Sequence, residues 1–264
     1  MHPFAYRRPA SLAEAAAAWR AEDDPRWLAG GQSLLGVLKL RLGAPTALID
    51  VARLPELAGI RREAGALVVG AACTHAEIAA SATDIPALAA LAGGIGDLQV
   101  RNMGTLGGAL ANNDPAGDHA AAALGLGAEI RTDRRRIAAD AFFTGLFETA
   151  LEPGELIVAV AYPLCRRAGY AKVRNPASGY PVAGVFIAEA ADGPRVAVTG
   201  AGPCPFRLPD FERALAAAFA STAVDRLTVA AAGLNRDLHA TPEYRAHLIG
   251  VLARRALAAA GAPP

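Results

Sequence analysis

Gly30 and Gly31 stand between the apolar run Trp27-Leu28-Ala29 and a helix-forming stretch that opens at Leu34, and this order restricts the fold more than any other feature of the chain. A Gly-Gly turn between a strand and a helix exposes several backbone N–H groups together, and the absent Cβ atoms let a charged oxygen approach them. The helix N-terminus beyond the turn adds the positive end of its dipole. The pattern predicts a strand at 27–29, a helix over about 34–42 with Gly43 at its C′ position, and another strand at 47–51.

Other local signals extend this reading. Ser11 and Glu14 match a capping box ahead of a helix that runs to about residue 20, and Thr74 with Glu77 repeats the pattern. Strands are predicted at 59–62 and 66–70 about the turn Glu63-Ala64-Gly65. After Leu151-Glu152-Pro153-Gly154 the texture changes to strands at 156–162, 170–174, 182–190 and 195–199, the last two joined as a hairpin near Asp192-Gly193. From Pro209 onward the sequence reads as helical and Ala-rich. There Thr241-Pro242 opens a helix that sets Tyr244, Leu248, Leu252 and Ala256 on one face. The expected class is α+β, with a boundary near 163–168.

Charge and cysteine usage exclude several functions. The formal net charge is +1 and the longest basic run is Arg134-Arg135-Arg136, so neither nucleic acid nor an anionic membrane surface is an expected partner. Hydrophobic stretches are broken by charge or glycine, and the N-terminus lacks a basic-then-apolar leader. No membrane insertion is expected, and the chain is read as cytoplasmic. Cys73, Cys165 and Cys204 form no CxxC pair and the five histidines form no HExxH, so no metal site is expected. Any redox centre must then be organic. His75, in the first turn after Thr74, is read as a structural histidine.

A second segment, Gly104 to Asp118, packs backbone donors, a hydroxyl and two carboxylates into fifteen residues. Thr105 and the N–H groups of Gly107 and Gly108 suit phosphate or ribityl oxygens, and Asp114 or Asp118 can accept from sugar hydroxyls. The plainer alternative is a solvated loop with an Asx-turn before Pro115. Neither glycine segment fits GxGxxG or GxxxxGK[ST], which disfavours the folds built on those loops.

At this point the chain resembles the FAD-binding medium subunits of carbon monoxide dehydrogenase and xanthine dehydrogenase-type molybdenum hydroxylases. Ala29-Gly30-Gly31-Gln32-Ser33 is similar to the family's first flavin loop, and Gln99 to Gly108 with Asn113 to Asp118 is similar to its second. Lys172 to Tyr180 and Val198 to Pro203 are similar to its C-terminal domain. The resemblance implies a PCMH-type FAD-binding domain over 1–165, made of two α/β subdomains at about 1–54 and 55–165. A small C-terminal domain of antiparallel sheet and helices would cover 166–264.

It also implies FAD as cofactor. Ala29, Gly30, Gly31, Gln32, Ser33 and Leu34 would surround the pyrophosphate with Thr105, Leu106, Gly107, Gly108 and Ala109. Asp114 and Asp118 would face ribityl or ribose hydroxyls. Ile95, Ile157 and Lys172 would lie along the cofactor, with Tyr180 toward the isoalloxazine ring. The implied partners are a large molybdopterin-binding subunit and a small [2Fe–2S] subunit, and the resemblance allows a dimer of such heterotrimers. Electrons would pass from the clusters to NAD, quinone or dioxygen. The alternative is a standalone FAD-dependent oxidoreductase that acts directly on a small molecule.

Overall fold

A computed structural model describes residues 1–263, and it has the expected α+β class. The first sheet is wholly parallel, with Ala47–Asp50 between Ala5–Arg7 and Pro25–Leu28. Helices Leu12–Arg20 and Leu34–Lys39 make the crossovers that parallel pairing requires. Ser11 caps the first helix by accepting from the Glu14 N–H at 3.2 Å. The Glu14 carboxylate takes the Ala10 N–H at 2.8 Å instead of that of Ser11, so only half of the expected box forms. Thr74 and Glu77 form the complete box.

The second helix stops earlier than its pattern predicts, and Gly43 is not its C′ residue. Arg41 takes the left-handed position at φ +59°. Leu42 N–H bonds the Val37 carbonyl at 3.0 Å and Arg41 N–H bonds that of Leu38 at 3.1 Å, a Schellman closure. Leu40 and Leu42 are exposed, so no burial rewards another turn, and Pro45 favours extended chain leading into Ala47–Asp50.

A five-stranded antiparallel sheet follows, in the order Ile60–Glu63, Ala66–Gly70, Ile157–Pro163, Glu129–Thr132, Arg136–Ala138. Ala64 at φ +41° and Gly65 at φ +82° form the two-residue turn of its first hairpin, as a primed turn requires. The third sheet, Arg167–Arg174, Pro181–Ala190, Gly193–Thr199 and Phe206–Arg207, is also antiparallel.

That third sheet is buried on both faces. Phe186, Ala188 and Ala197 enter the main core, where helix Asp118–Leu126 is buried at every position. Val185, Ile187, Val196 and Val198 alternate with them and pack in a second cluster with helix Pro242–Ala259. A Cβ on Gly125 would lie 2.6 Å from the Phe186 ring, so the glycine lets helix and sheet meet closely.

The stretch after Pro209 is not continuously helical. Helix Pro209–Ala217 ends, a 3₁₀ turn covers Ser221–Val224, and the chain is otherwise irregular up to Pro242. Asn235 explains part of this, since its N–H bonds the Ala201 carbonyl and its Nδ2 bonds that of Gly202, which ties the segment to the sheet rather than to itself. Among the described residues no helix is long and apolar enough to cross a membrane.

Candidate functional site

The two glycine segments press against each other and line one cavity of about 620 Å³. A Cβ on Gly30 would fall on the Met103 carbonyl and within 2.9 Å of the Gly104 Cα, so this glycine is required for the approach of one segment to the other. Gly31 takes φ +71°, a conformation glycine adopts at low cost. Along this turn and the helix start, the N–H groups of Gly30, Gly31, Gln32, Ser33 and Leu34 donate to no acceptor among the described residues. Five successive residues with free amides line the cavity, a donor set suited to an anion.

The second segment is helical rather than open. Thr105 caps helix Leu106–Asn112 by accepting from the Gly108 N–H at 3.3 Å. Leu106 N–H bonds the Cys73 carbonyl at 3.0 Å and Gly107 N–H bonds that of Ala71 at 2.8 Å. The expectation that Gly107 and Gly108 offer their N–H groups to phosphate is therefore corrected: the first is committed to Ala71 and the second to the Thr105 hydroxyl. A Cβ on Gly107 would lie 2.7 Å from the Ala71 Cβ, so packing explains this glycine. The Leu106 side chain is fully buried and lies off the cavity wall, whereas Gly108 and Ala109 lie on it.

After the helix, Asn113 turns left-handed at φ +40°, and its Nδ2 holds the carbonyls of Gly145 and Glu148 at 2.8 and 2.7 Å. Asp114 Oδ1 accepts from the Ala116 N–H at 2.9 Å, which is the Asx-turn of the plainer reading, and the residue also lines the cavity. Thr199 Oγ1 bonds the carbonyls of Pro115 and Gly117, which fixes this segment to the third sheet.

Asp118 is 4% exposed, and its Oδ1 accepts from Tyr170 Oη and Lys172 Nζ, both at 2.7 Å. Burial pushes the Asp118 carboxyl upward and the Lys172 amine downward, against the attraction between them. Only Oδ2 is free to meet a ligand hydroxyl. Lys172 Nζ bonds Asp118 Oδ1 and the Gly179 carbonyl, which sets it directly behind a carboxylate of the cavity wall. Ile95, Ile157 and Tyr180 do lie on that wall. Of the residues singled out from the sequence, only Leu106 and Lys172 are away from it.

Several wall residues were not expected. Trp19 and Trp27 stack with ring centroids 4.4 Å apart at one part of the cavity. Trp27 lies three residues before Gly30 in the strand that leads into the turn, and that proximity was the available signal. His75 and His119 meet on the wall, with His119 Nε2 at 3.1 Å from His75 Nδ1. His119 sits in an Ala-rich buried helix whose sequence gives no hint of a polar role.

A dinucleotide such as FAD fits this donor set. Its pyrophosphate requires clustered main-chain donors, its hydroxyls require acceptors, and its rings require apolar wall. The free amides of 30–34, the Asp114 and Asp118 carboxylates and the Trp27, Ile95 and Ile157 surfaces provide all three.

Comparison with known proteins agrees with this chemistry. The family described as the FAD binding domain in molybdopterin dehydrogenase matches residues 2–165. The carbon monoxide dehydrogenase medium chain of Hydrogenophaga pseudoflava is 34% identical, across 98% of this chain and 97% of its own. The nicotine 6-hydroxylase medium subunit of Paenarthrobacter nicotinovorans is 33% identical, with 97% of each chain covered. A solved structure of reconstituted CO dehydrogenase from Oligotropha carboxidovorans superposes with a TM-score of 0.90 at 31% identity, covering 98% of this chain and 97% of that one.

Proposed function

Since the chain belongs to the family of FAD binding domains in molybdopterin dehydrogenases, and is an FAD-binding oxidoreductase subunit of the medium-chain kind, we propose that it is the electron carrier of a three-subunit molybdenum hydroxylase. It takes electrons from the [2Fe–2S] clusters of a small partner and delivers them to NAD, quinone or dioxygen, while a large molybdopterin-binding partner hydroxylates the organic substrate in the cytoplasm. Bound FAD supplies the redox chemistry, both one-electron and two-electron.

The observation that carries this reading is the run of five free amides from Gly30 to Leu34, set against the Gly108 and Ala109 surface in one cavity. Those amides would hold the pyrophosphate. Asp114 and Asp118 Oδ2 would orient the sugar hydroxyls, Ile95 and Ile157 would give the rings an apolar wall, and Tyr180 would face the isoalloxazine. Residues 1–165 line most of the cavity, and residues 166–264 add Ser178 and Tyr180 from the loop between Arg167–Arg174 and Pro181–Ala190. The three cysteines are free and unclustered, so the iron–sulfur clusters belong to another chain.

The test is co-expression of the tagged chain with its genomic neighbours. The expected result is a flavin-containing complex that retains a small iron–sulfur subunit and a large molybdopterin subunit, with substrate oxidation lost when the chain is isolated. Recovery of the chain alone, turning over a small organic substrate with its own flavin, would replace this reading with that of a standalone oxidoreductase.

A further inference from the structure

Two imidazoles lie beneath the second glycine segment without a task in the reading above. His75 opens helix His75–Ser81 and is 5% exposed, and His119 in helix Asp118–Leu126 is 1% exposed. Their rings are 4.9 Å apart between centroids, with His119 Nε2 and His75 Nδ1 in hydrogen-bond contact at 3.1 Å. The far nitrogens differ. His119 Nδ1 is sealed and unpartnered, whereas His75 Nε2 has no protein partner yet is not among the sealed atoms of this cavity wall. A Cβ on Gly104 would lie 2.7 Å from His75 Nε2, so the glycine leaves that ring edge uncovered.

Burial drives both rings toward the neutral form, holding His75 at about 4 and His119 well below the ordinary histidine value. A neutral pair shares one N–H across its contact, which leaves two arrangements. If His75 donated, His119 would carry a sealed N–H with no acceptor. If His119 donates, its Nδ1 carries only a lone pair, and the single proton of His75 resides on Nε2. An orphaned buried N–H is rarer than an under-used acceptor, so the second arrangement wins.

We propose that His75, fixed in its Nε2–H tautomer by His119, is a cofactor-contacting donor that presents a neutral N–H to an oxygen of the dinucleotide beside Gly104 and Thr105. His119 is its positioning residue. The inference rests on the FAD reading and adds to it a donor that remains uncharged at neutral pH.

The experiment uses the full chain, stripped of flavin, labelled with ¹⁵N at histidine and titrated with FAD. The expected spectrum shows His75 in the Nε2–H tautomer before FAD is added and a shifted Nε2 resonance afterwards. FAD affinity should fall about ten- to a hundredfold in His75→Leu. It should survive largely in His75→Gln, whose amide carries an N–H to a similar place, and fall by a smaller factor in His119→Leu. Should His75→Leu fail to fold, the wild-type titration decides alone. Unchanged affinity in a folded His75→Leu, an Nε2 resonance that FAD leaves unmoved, or His75 in the Nδ1–H tautomer, overturns the inference and leaves the FAD reading standing. A folded wild-type chain that takes up no FAD overturns the FAD reading itself, and the inference with it.

Discussion

The Asp118 carboxylate and the Lys172 ammonium meet at 2.7 Å, with their side chains 3% and 7% exposed, and so join the central buried helix to the third sheet. Removing two charges from water is costly, and the pair recovers that cost only while both members are present. Lys172→Met strands Asp118 with Tyr170 as its remaining side-chain donor and should lower stability by about 3–5 kcal/mol. Adding Asp118→Asn should restore part of that loss, with a coupling on the order of 1–3 kcal/mol in urea unfolding of the four proteins. Strictly additive losses would show that the two groups do not stabilise each other.

Gly107 and Gly108 are neighbours with opposite tasks. Gly108 is exposed on the cavity wall and an added Cβ meets only Thr105 Oγ1, at 2.9 Å. Gly108→Val should therefore keep the fold and obstruct the ligand, at a loss of about 3–6 kcal/mol or roughly two to four decades in FAD affinity. Gly107→Val drives a side chain into Ala71 and should instead destabilise the fold by roughly 1–3 kcal/mol. Thermal melts and FAD titrations of both variants separate the cases. An unaffected FAD affinity in Gly108→Val would move the phosphate away from this helix start.

That contrast explains how much the sequence revealed. Signals that act within three or four residues were legible: the Thr74/Glu77 box, the Ala64-Gly65 turn and the Gly30-Gly31 break all form as local chemistry requires. Helix Asp118–Leu126 was not, because an element buried on every side has no amphipathic period to read. Strand Ala5–Arg7 was missed for a related reason, since three residues pairing with Ala47–Asp50 leave no pattern of their own. At the site, the two loops were readable, but the commitment of Gly107 to Ala71 and of Lys172 to Asp118 depends on segments that only the fold brings together.

Gly36 is a position where stability can be gained without touching the site's donors. It lies inside helix Leu34–Lys39, is exposed, and has open space where a Cβ would project. Gly36→Ala should stabilise the chain by about 0.5–1 kcal/mol through lower backbone entropy in the unfolded state. A denaturant midpoint that rises at constant slope, with FAD affinity not reduced, is the expected result. A lower midpoint would mean that this helix needs the freedom of glycine.

Acid should weaken the fold earlier than its carboxylates alone would dictate. Burial holds His75 at about 4, against an ordinary value of 6.5. The unfolded chain therefore binds a proton at this ring as pH falls through 6.5, while the native chain resists until about 4. Stability is complete above that window, declines across it, and levels off below, and the gap corresponds to about 3 kcal/mol. His119, lowered by burial and by His75 itself, steepens the same limb. Glu155 acts lower: its hydrogen bond to Arg135 holds it at about 2, so its contribution fades between about 4.5 and 2. Urea unfolding at pH 7 and pH 4.5 isolates the histidine limb. His75→Gln, which cannot titrate, should lose roughly 2–3 kcal/mol less than the wild type between those two conditions. Equal losses in the two proteins would mean that His75 binds its proton as readily when folded as when unfolded, and the neutral imidazole pair would have to be abandoned.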